Sequence, residues 1–565
     1  MSHERGEAPH LPSLPRRDFL WIIGTAAIPA VQAGKSVAPD FSNFSTTPTD
    51  GALPEIVEVD LETMSAGLAN GRWTAAELTQ ACLERIASMD LRGPSLHHVL
   101  ETNPDALELA AALDRERAGG RVRGPLHGVP VILKDNIDTA DRMTTTAGSL
   151  ALEGSIAPRD AFLAERLRTA GAVLLAKASM SEWANFRSPR SSSGWCSRGG
   201  QGRNPYVLDR TPCGSSSGTG GAVAASYAPA GIGTETDGSV TCPAATMGLV
   251  GLKPTVGLVS RSGIIPISVS QDTAGPMGRT VTDVALLLGG ITGVDPRDPA
   301  TRHGAGHLVP DYTRFLDPGA LRGKRLGVTR KGFTGYHPET DARFEDALDV
   351  LRALGAIVVD PADLPHADDR GADEFQVLLY EFKAGLNAYL AGLGPRAPMR
   401  TLDDVIAFNE SHRVRVMPHF GQETLIEAAG KGPLTTPAYR RALANSRRLW
   451  RSEGIDQVVV AHRLDALVAP TGNPAWPIDL VNGDHFTGSV TTPAAVAGYP
   501  HITVPMGYVD ELPVGLSFFG RAWTEPALLG MADAYEQATR HRRPPRYLPT
   551  LPLQAGGDVP THGDH

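Results

Sequence analysis

Helical periodicity and short apolar runs alternate along this chain, and that alternation restricts it to an α/β architecture. Residues 161–170 carry a helical pattern closed by Gly171, and Ala172-Val-Leu-Leu-Ala176 follows as a fully apolar strand. The unit recurs further on. Phe344, Leu348 and Leu351 share one helix face, Gly355 stops the helix, and Ala356-Ile-Val-Val359 continues as a strand. Strands apolar throughout have no solvent face, so the pattern predicts an α/β core with a largely buried mixed sheet. Thr74-Ala-Ala-Glu77 is a capping box that opens a helix with Leu78, Cys82 and Ile86 on one side. Another helix is expected from Pro104 toward Arg117, and a strand runs into Lys134. No repeat of solenoid period is present.

Chemistry concentrates in two places. Gly214-Ser-Ser-Ser-Gly-Thr-Gly-Gly221 is followed by Gly238-Ser239, and upstream Lys134 ends the apolar run Val129-Pro-Val-Ile-Leu133. A serine hydroxyl is a weak nucleophile until a base takes its proton. Lysine serves as that base only when neutral, and its ordinary pKa is about 10.4. Working at neutral pH requires a drop of about 3, or about 4 kcal/mol, which burial behind an apolar strand supplies. A second serine relays the proton where nucleophile and lysine do not touch. Glycines let backbone N–H groups approach a developing oxyanion.

Other readings of these segments exist. A glycine-serine run alone is more often a flexible linker, but this one flows into Ala222-Val-Ala-Ala-Ser226, which reads as the start of a helix. Gly214-Ser-Ser216-Ser-Gly218 also fits the Gly-x-Ser-x-Gly elbow of α/β-hydrolases, yet the prolines at 205 and 212 argue against the strand that elbow needs. Gly220-Gly221-Ala222 lacks the Gly-Lys-Ser/Thr of a phosphate loop. Lys134 by itself reads more readily as a surface lysine at a strand end.

Taken in order, several blocks resemble the amidase signature family over roughly residues 54–545. They are His127-Gly-Val-Pro-Val-Ile-Leu-Lys-Asp-Asn-Ile137, Cys213 through Ser226, Gly231 through Ala244, Gly248-Leu-Val-Gly-Leu-Lys-Pro-Thr255 and Gln271-Asp-Thr-Ala-Gly-Pro276. The resemblance implies one large domain, its central mixed sheet covered by helices on both faces, and a Ser–cis-Ser–Lys triad without a cofactor. In that triad Ser239 is the nucleophile, Ser215 the bridging serine on a cis peptide, and Lys134 the general base and later acid. The N–H groups of Thr236, Asp237, Gly238 and Ser239 would line the oxyanion hole.

Two positions depart from the common pattern. Glu235-Thr-Asp-Gly-Ser239 replaces Asp-x-Gly-Gly-Ser, and Thr241 stands where many members carry arginine. Without that cation a pocket for a free carboxylate is disfavoured, and neutral amides fit better. Together with Ser181-Glu-Trp-Ala-Asn-Phe-Arg187, the variant is most similar to bacterial peptide amidases, which remove C-terminal amides and spare internal peptide bonds. The expected activity is hydrolysis of linear carboxamides to acid and ammonia. Fatty, aryl or aliphatic amides are the alternative substrates, and an amidotransferase subunit supplying ammonia is a further reading. Asp237 reads as a capping residue or an electrostatic neighbour of the nucleophile, Asp272 as a site-ordering group or a turn cap, and Glu182–Arg187 as an ion pair.

Composition sets the remaining bounds. A net charge of −9 with no basic stripe gives no support to nucleic-acid binding. The 17 histidines show no His-Glu-x-x-His and no cysteine–histidine ligand spacing, so no metal is expected, and His97-His98 reads as a solvated segment. Four cysteines, at 82, 196, 213 and 242, are too few for a disulfide scaffold in a chain of 565 residues. Cys213 and Cys242 flank Ser215 and Ser239 and are expected to line or back the site.

Arg16-Arg17-Asp-Phe-Leu20, the apolar stretch from Leu20 to Val31 and Val31-Gln-Ala33 resemble a twin-arginine export signal over residues 1–33. That implies a periplasmic or secreted protein with no stable membrane insertion. Residues 34–52 read as a linker, 53–550 as the amidase domain and 551–565 as a tail. Within the domain, 365–455 is expected to be mostly helical (375–393, 402–412 and 439–450) and to cover the substrate.

Overall fold

The computed structural model describes residues 53–368, 371–395 and 397–552. The export signal over 1–33, the linker over 34–52 and the tail beyond 552 lie outside them.

Eleven strands form one sheet among the described residues. From edge to edge they are Val99–Thr102, Val173–Ala178, Pro130–Lys134, Ala230–Glu235, Thr273–Gly278, Val250–Lys253, His501–Val509, Leu512–Phe519, Ala466–Pro470, Arg325–Val328 and Ile357–Val359. The sheet is mixed. Pro130–Lys134 pairs in parallel with both neighbours, and so does Arg325–Val328 at the other wing. The strands between the wings pair antiparallel. Helices flank the sheet, as the alternating pattern requires. The capping box at Thr74 is present, with Leu78, Cys82 and Ile86 buried.

This topology gathers the chemistry at one edge. Lys134 ends one strand, and Thr234 and Glu235 end the parallel strand beside it. The antiparallel strand next in line starts at Thr273 opposite Glu235, which brings Asp272 to the same edge. Crevices outside the carboxyl ends of parallel strands are the usual place for ligands in such sheets.

The glycine-rich run differs from expectation. The helix opens at Ser217 rather than near Ala222 and takes Gly218, Gly220 and Gly221 into its interior. Glycine there is required by close approach. A Cβ on Gly218 would stand 2.3 Å from the Ser179 carbonyl oxygen, and one on Gly221 would stand 2.0 Å from His98 Nε2. His98 is correspondingly buried, 0 % exposed, rather than solvated. Its neutral form is favoured there, burial having brought its pKa down to about 3.

Residues 372–447 form Ala372–Gly392, Leu402–Ser411, Arg413–Val416, Glu423–Ala429 and Pro437–Arg447. Leu379, Phe382, Leu386, Leu402, Val405 and Leu425 from these helices pack with Trp183, Phe186, Ile265 and Ile267 from beside the site. No helix among the described residues is long and apolar enough to cross a membrane.

Candidate active site

Lys134 is completely buried and its Nζ has three partners. It donates to Ser215 Oγ at 2.8 Å, to Thr234 Oγ1 at 2.9 Å and to the Thr234 carbonyl oxygen at 3.0 Å. Burial brings its pKa down to about 7, against the opposing pull of the Asp272 and Glu235 carboxylates. An amine so shifted can give up its proton near neutral pH. A neutral amine has two hydrogens and one lone pair. Thr234 can take both hydrogens, which leaves the lone pair aimed at the Ser215 hydroxyl.

Ser215 is held by the loop that precedes the glycine-rich helix. The Gly214–Ser215 peptide is cis, and the Ser215 carbonyl accepts from Ser181 N at 3.1 Å. Ser216 faces away from this chemistry. Its Oγ is 3.1 Å from both Thr234 N, which donates to it, and Thr234 O, to which it donates. No strand precedes Gly214, so the hydrolase-elbow reading of Ser216 lacks both its scaffold and a free hydroxyl.

Ser239 lies on the turn between the strand Ala230–Glu235 and the helix Thr241–Thr246. Its carbonyl accepts from Ser216 N at 3.1 Å, which docks the turn onto the Ser215 loop. The Ser239 side chain forms no hydrogen bond among the described residues and is 8 % exposed, in contrast to the sealed Ser215.

Four further tethers fix this turn. Glu235 folds back beneath it, and its Oε2 accepts from Val240 N at 2.8 Å, Thr241 N at 3.0 Å and Thr241 Oγ1 at 3.2 Å. A carboxylate at a helix N-terminus suits the helix dipole. Asp272 accepts from Thr236 Oγ1 at 2.6 Å and from Ile267 N and Ser268 N, both at 2.8 Å. It thus orders the site and caps a turn at once. Asp237 accepts from Thr492 Oγ1 at 2.6 Å, and burial raises its pKa. The last tether is covalent: Cys213 and Cys242 form a disulfide with Cα atoms 6.2 Å apart. A bridge-poor chain remains the right description, since Cys82 and Cys196 are free and buried. Yet the one bridge present joins the Ser215 loop to the helix after Ser239.

Lys253 is a second buried lysine nearby, brought down to about 8 by burial. Glu182 and Arg187 form an ion pair of 2.8 Å with both side chains fully buried, so it is not an ordinary surface pair. Arg187 also donates to the carbonyls of Val416 and Phe420, at 2.7 and 3.2 Å, fastening the 413–420 segment. No cluster of metal-binding side chains occurs among the described residues. Sequence reading passed over the Glu235 tether and the Thr234 cradle. Both involve residues next to the motif, and their roles appear only when neighbouring strands are laid side by side.

The arrangement sets a buried amine of lowered pKa against a serine hydroxyl, beside a turn that carries a second serine, groups of the kind acyl transfer uses. The family model described as Amidase matches residues 77–529. The structure of native peptide amidase from Stenotrophomonas maltophilia is 54% identical, with a TM-score of 0.83, covering 87% of this chain and 99% of that one. A probable amidase of Arabidopsis thaliana is 41% identical over 87% of this chain and 92% of its own length. A glutamyl-tRNA(Gln) amidotransferase subunit of Chloroflexus aurantiacus is 39% identical over 88% of this chain and 100% of its own length.

Proposed function

The chain belongs to the amidase signature family of amide hydrolases, and from that premise we propose a serine amidohydrolase acting on linear carboxamides, chiefly the C-terminal amides of peptides. Ser239 attacks the carbonyl, Ser215 passes its proton to Lys134, and the N–H groups of residues 236–239 stabilise the oxyanion. The proton returns along the same path to the departing ammonia, and water then hydrolyses the acyl-enzyme. The observation that carries this reading is the 2.8 Å contact between Lys134 Nζ and Ser215 Oγ in a sealed site. The peptide-amide assignment is supported by the Stenotrophomonas enzyme and by Thr241. The backbone N–H and hydroxyl of Thr241 are spent on Glu235, so nothing cationic stands there to receive a free carboxylate.

Ammonia release from peptide amides, fatty amides and simple aliphatic amides tests the reading, with Ser239→Ala and Lys134→Ala alongside. Peptide amides should be turned over best, and both variants should be severely impaired. Full activity of Lys134→Ala at neutral pH would remove it as the base. The likeness to an amidotransferase component supplies a second reading, under which activity would appear only with partner subunits. Residues 1–33 support export to the periplasm or beyond, where no transfer RNA is met. N-terminal sequencing of the exported protein checks this, and a start at Met1 would contradict it.

A further inference from the structure

The bridge between Cys213 and Cys242 is anchored beside both serines of the proposed relay. Cys213 stands two residues before Ser215. Cys242 stands three residues after Ser239, and its N–H donates to the Gly238 carbonyl at 2.8 Å. A movement of either sulfur is thus passed through a few peptide units to a catalytic hydroxyl.

The backbone at Cys213 is held outside the region it prefers. Its φ is +54°, which a residue with a Cβ keeps only where its surroundings impose it. On one side Cys213 N donates to Thr211 Oγ1 at 3.1 Å, and on the other stands the bridge. Opening the bridge removes one of these two restraints, immediately before Gly214 and Ser215. The fold itself has other ties at this place. Asn204 Nδ2 donates to the carbonyls of Thr211 and Thr246, at 3.2 and 3.0 Å, and Thr246 Oγ1 donates to the Pro212 carbonyl at 3.3 Å. These contacts span the same loop and helix without sulfur. The two segments therefore stay docked when the bridge opens, and what is lost is the fine placement of Ser215 against Ser239.

The bridge is also within reach of solutes. Both cysteines line a cavity of about 340 Å³, together with Gly214, Gly238, Trp476 and Phe486. At roughly 30 Å³ for each molecule the size of water, that is room for about eleven, or for one small thiol. Phe486 on the cavity wall is 50% exposed and Cys242 is half-buried. The other two cysteines differ. Cys82 and Cys196 are sealed from solvent, and burial pushes their thiols up to about 12 and about 11, so neither offers the thiolate that exchange requires.

We propose that the Cys213–Cys242 bridge is a thiol-responsive control site: exchange with small-molecule thiols opens it and lowers the turnover of the folded enzyme, and reoxidation restores it. On the acyl-enzyme reading above, on which this rests, the effect arises because Ser215 shifts against Ser239. The chemistry balances with the thiol as reductant. A small thiolate attacks the sulfur of Cys242, the more exposed residue. The bridge S–S bond breaks, a mixed disulfide forms, and Cys213 leaves as a thiolate that takes up a proton. A second thiolate attacks the small-molecule sulfur of the mixed disulfide. Cys242 leaves in its turn and is protonated, and the two small thiols depart joined as their own disulfide. Two electrons have passed from them to the bridge.

The test treats the folded, full-length enzyme with dithiothreitol, a small dithiol that supplies both attacks, and follows ammonia release from a peptide amide after the reductant is removed without air. Thiols counted in a denatured portion should rise from two to four. The turnover number kcat should fall by about tenfold to a hundredfold while far-ultraviolet circular dichroism stays unchanged, and oxidised glutathione should restore it. The Cys213→Ser/Cys242→Ser double variant should show the lowered kcat from the outset and ignore the thiol. Four thiols with an unchanged kcat would overturn the control site and leave the bridge a tie for stability alone. A bridge that stays closed in the folded enzyme, or loss of the dichroism on reduction, would overturn it as well. An oxidised enzyme that releases no ammonia from any amide would instead remove the acyl-enzyme reading, and the control site with it.

Discussion

At the scale of single residues, the proposed mechanism makes the titration of Lys134 the determinant of the pH profile. Its pKa is lowered to about 7 by burial, so the unprotonated amine is lost as pH falls through that value. The rate constant kcat/KM should drop tenfold per pH unit below about pH 7, which a pH–rate profile measures directly. Asp272 pulls the other way by favouring the ammonium. Asp272→Asn removes that negative charge, so the acid limb should move to lower pH. An unmoved limb would mean that Asp272 matters only for holding Thr236 and the 267–268 turn. Lys134, Ser215 and Ser239 stood out in the sequence because each sits inside a local motif, and the structure sets Lys134 against Ser215. Thr492 did not: it reaches Asp237 from 255 positions away. His98 was misread as part of a polar histidine pair, whereas it leads into the strand Val99–Thr102 and packs against Gly221 of a different segment.

At the scale of elements, the turn after Ala230–Glu235 is the unit to perturb. Glu235 makes three hydrogen bonds with one oxygen, all to residues just beyond Ser239. Hydrogen bonds to a charged group are worth about 1.5–3 kcal/mol. Glu235→Ala should lower kcat by about 10- to 100-fold with a smaller change in KM. Glu235→Gln, which keeps an acceptor oxygen, should recover part of the loss in steady-state kinetics. The disulfide clamps the same turn from outside. It closes a span of 29 residues, for which chain entropy gives about 3–4 kcal/mol. The Cys213→Ser/Cys242→Ser double variant should therefore unfold at lower temperature, as differential scanning calorimetry would record. Cysteine positions alone did not disclose this bridge, because four cysteines permit many pairings and only the docking of two loops selects one. The helices Ala372–Gly392, Leu402–Ser411 and Pro437–Arg447 were readable as helical stretches, whereas the short helices Arg413–Val416 and Glu423–Ala429 were not. The glycine-rich helix was not, since its glycines disfavour a helix locally and are present for what they touch.

At the scale of the whole molecule, one of the ties between the helical region after residue 372 and the rest of the fold is a buried cation. Arg187 pairs with Glu182, reaches two carbonyls of the 413–420 segment and lies 4.1 Å from the Phe420 ring centroid. Truncating one partner of a buried pair strands the other charge, at about 3–5 kcal/mol. Arg187→Ala should destabilise the protein by that amount in denaturant titration, and adding Glu182→Gln should restore part of it. The alternation of helices and strands foretold the layered architecture. It did not foretell strand order, which depends on where distant segments dock.

That order has a bearing on biosynthesis. The hairpin of residues 501–519 stands in mid-sheet, between Val250–Lys253 and Ala466–Pro470, although its two strands are the last of the sheet to leave the ribosome. Until it emerges, the strands made earlier present bare, apolar edges, the kind of surface on which nascent chains stick to one another. A chain released early would lack its keystone and keep two unsealed halves, so quality control has a sharp feature by which to tell finished molecules from incomplete ones.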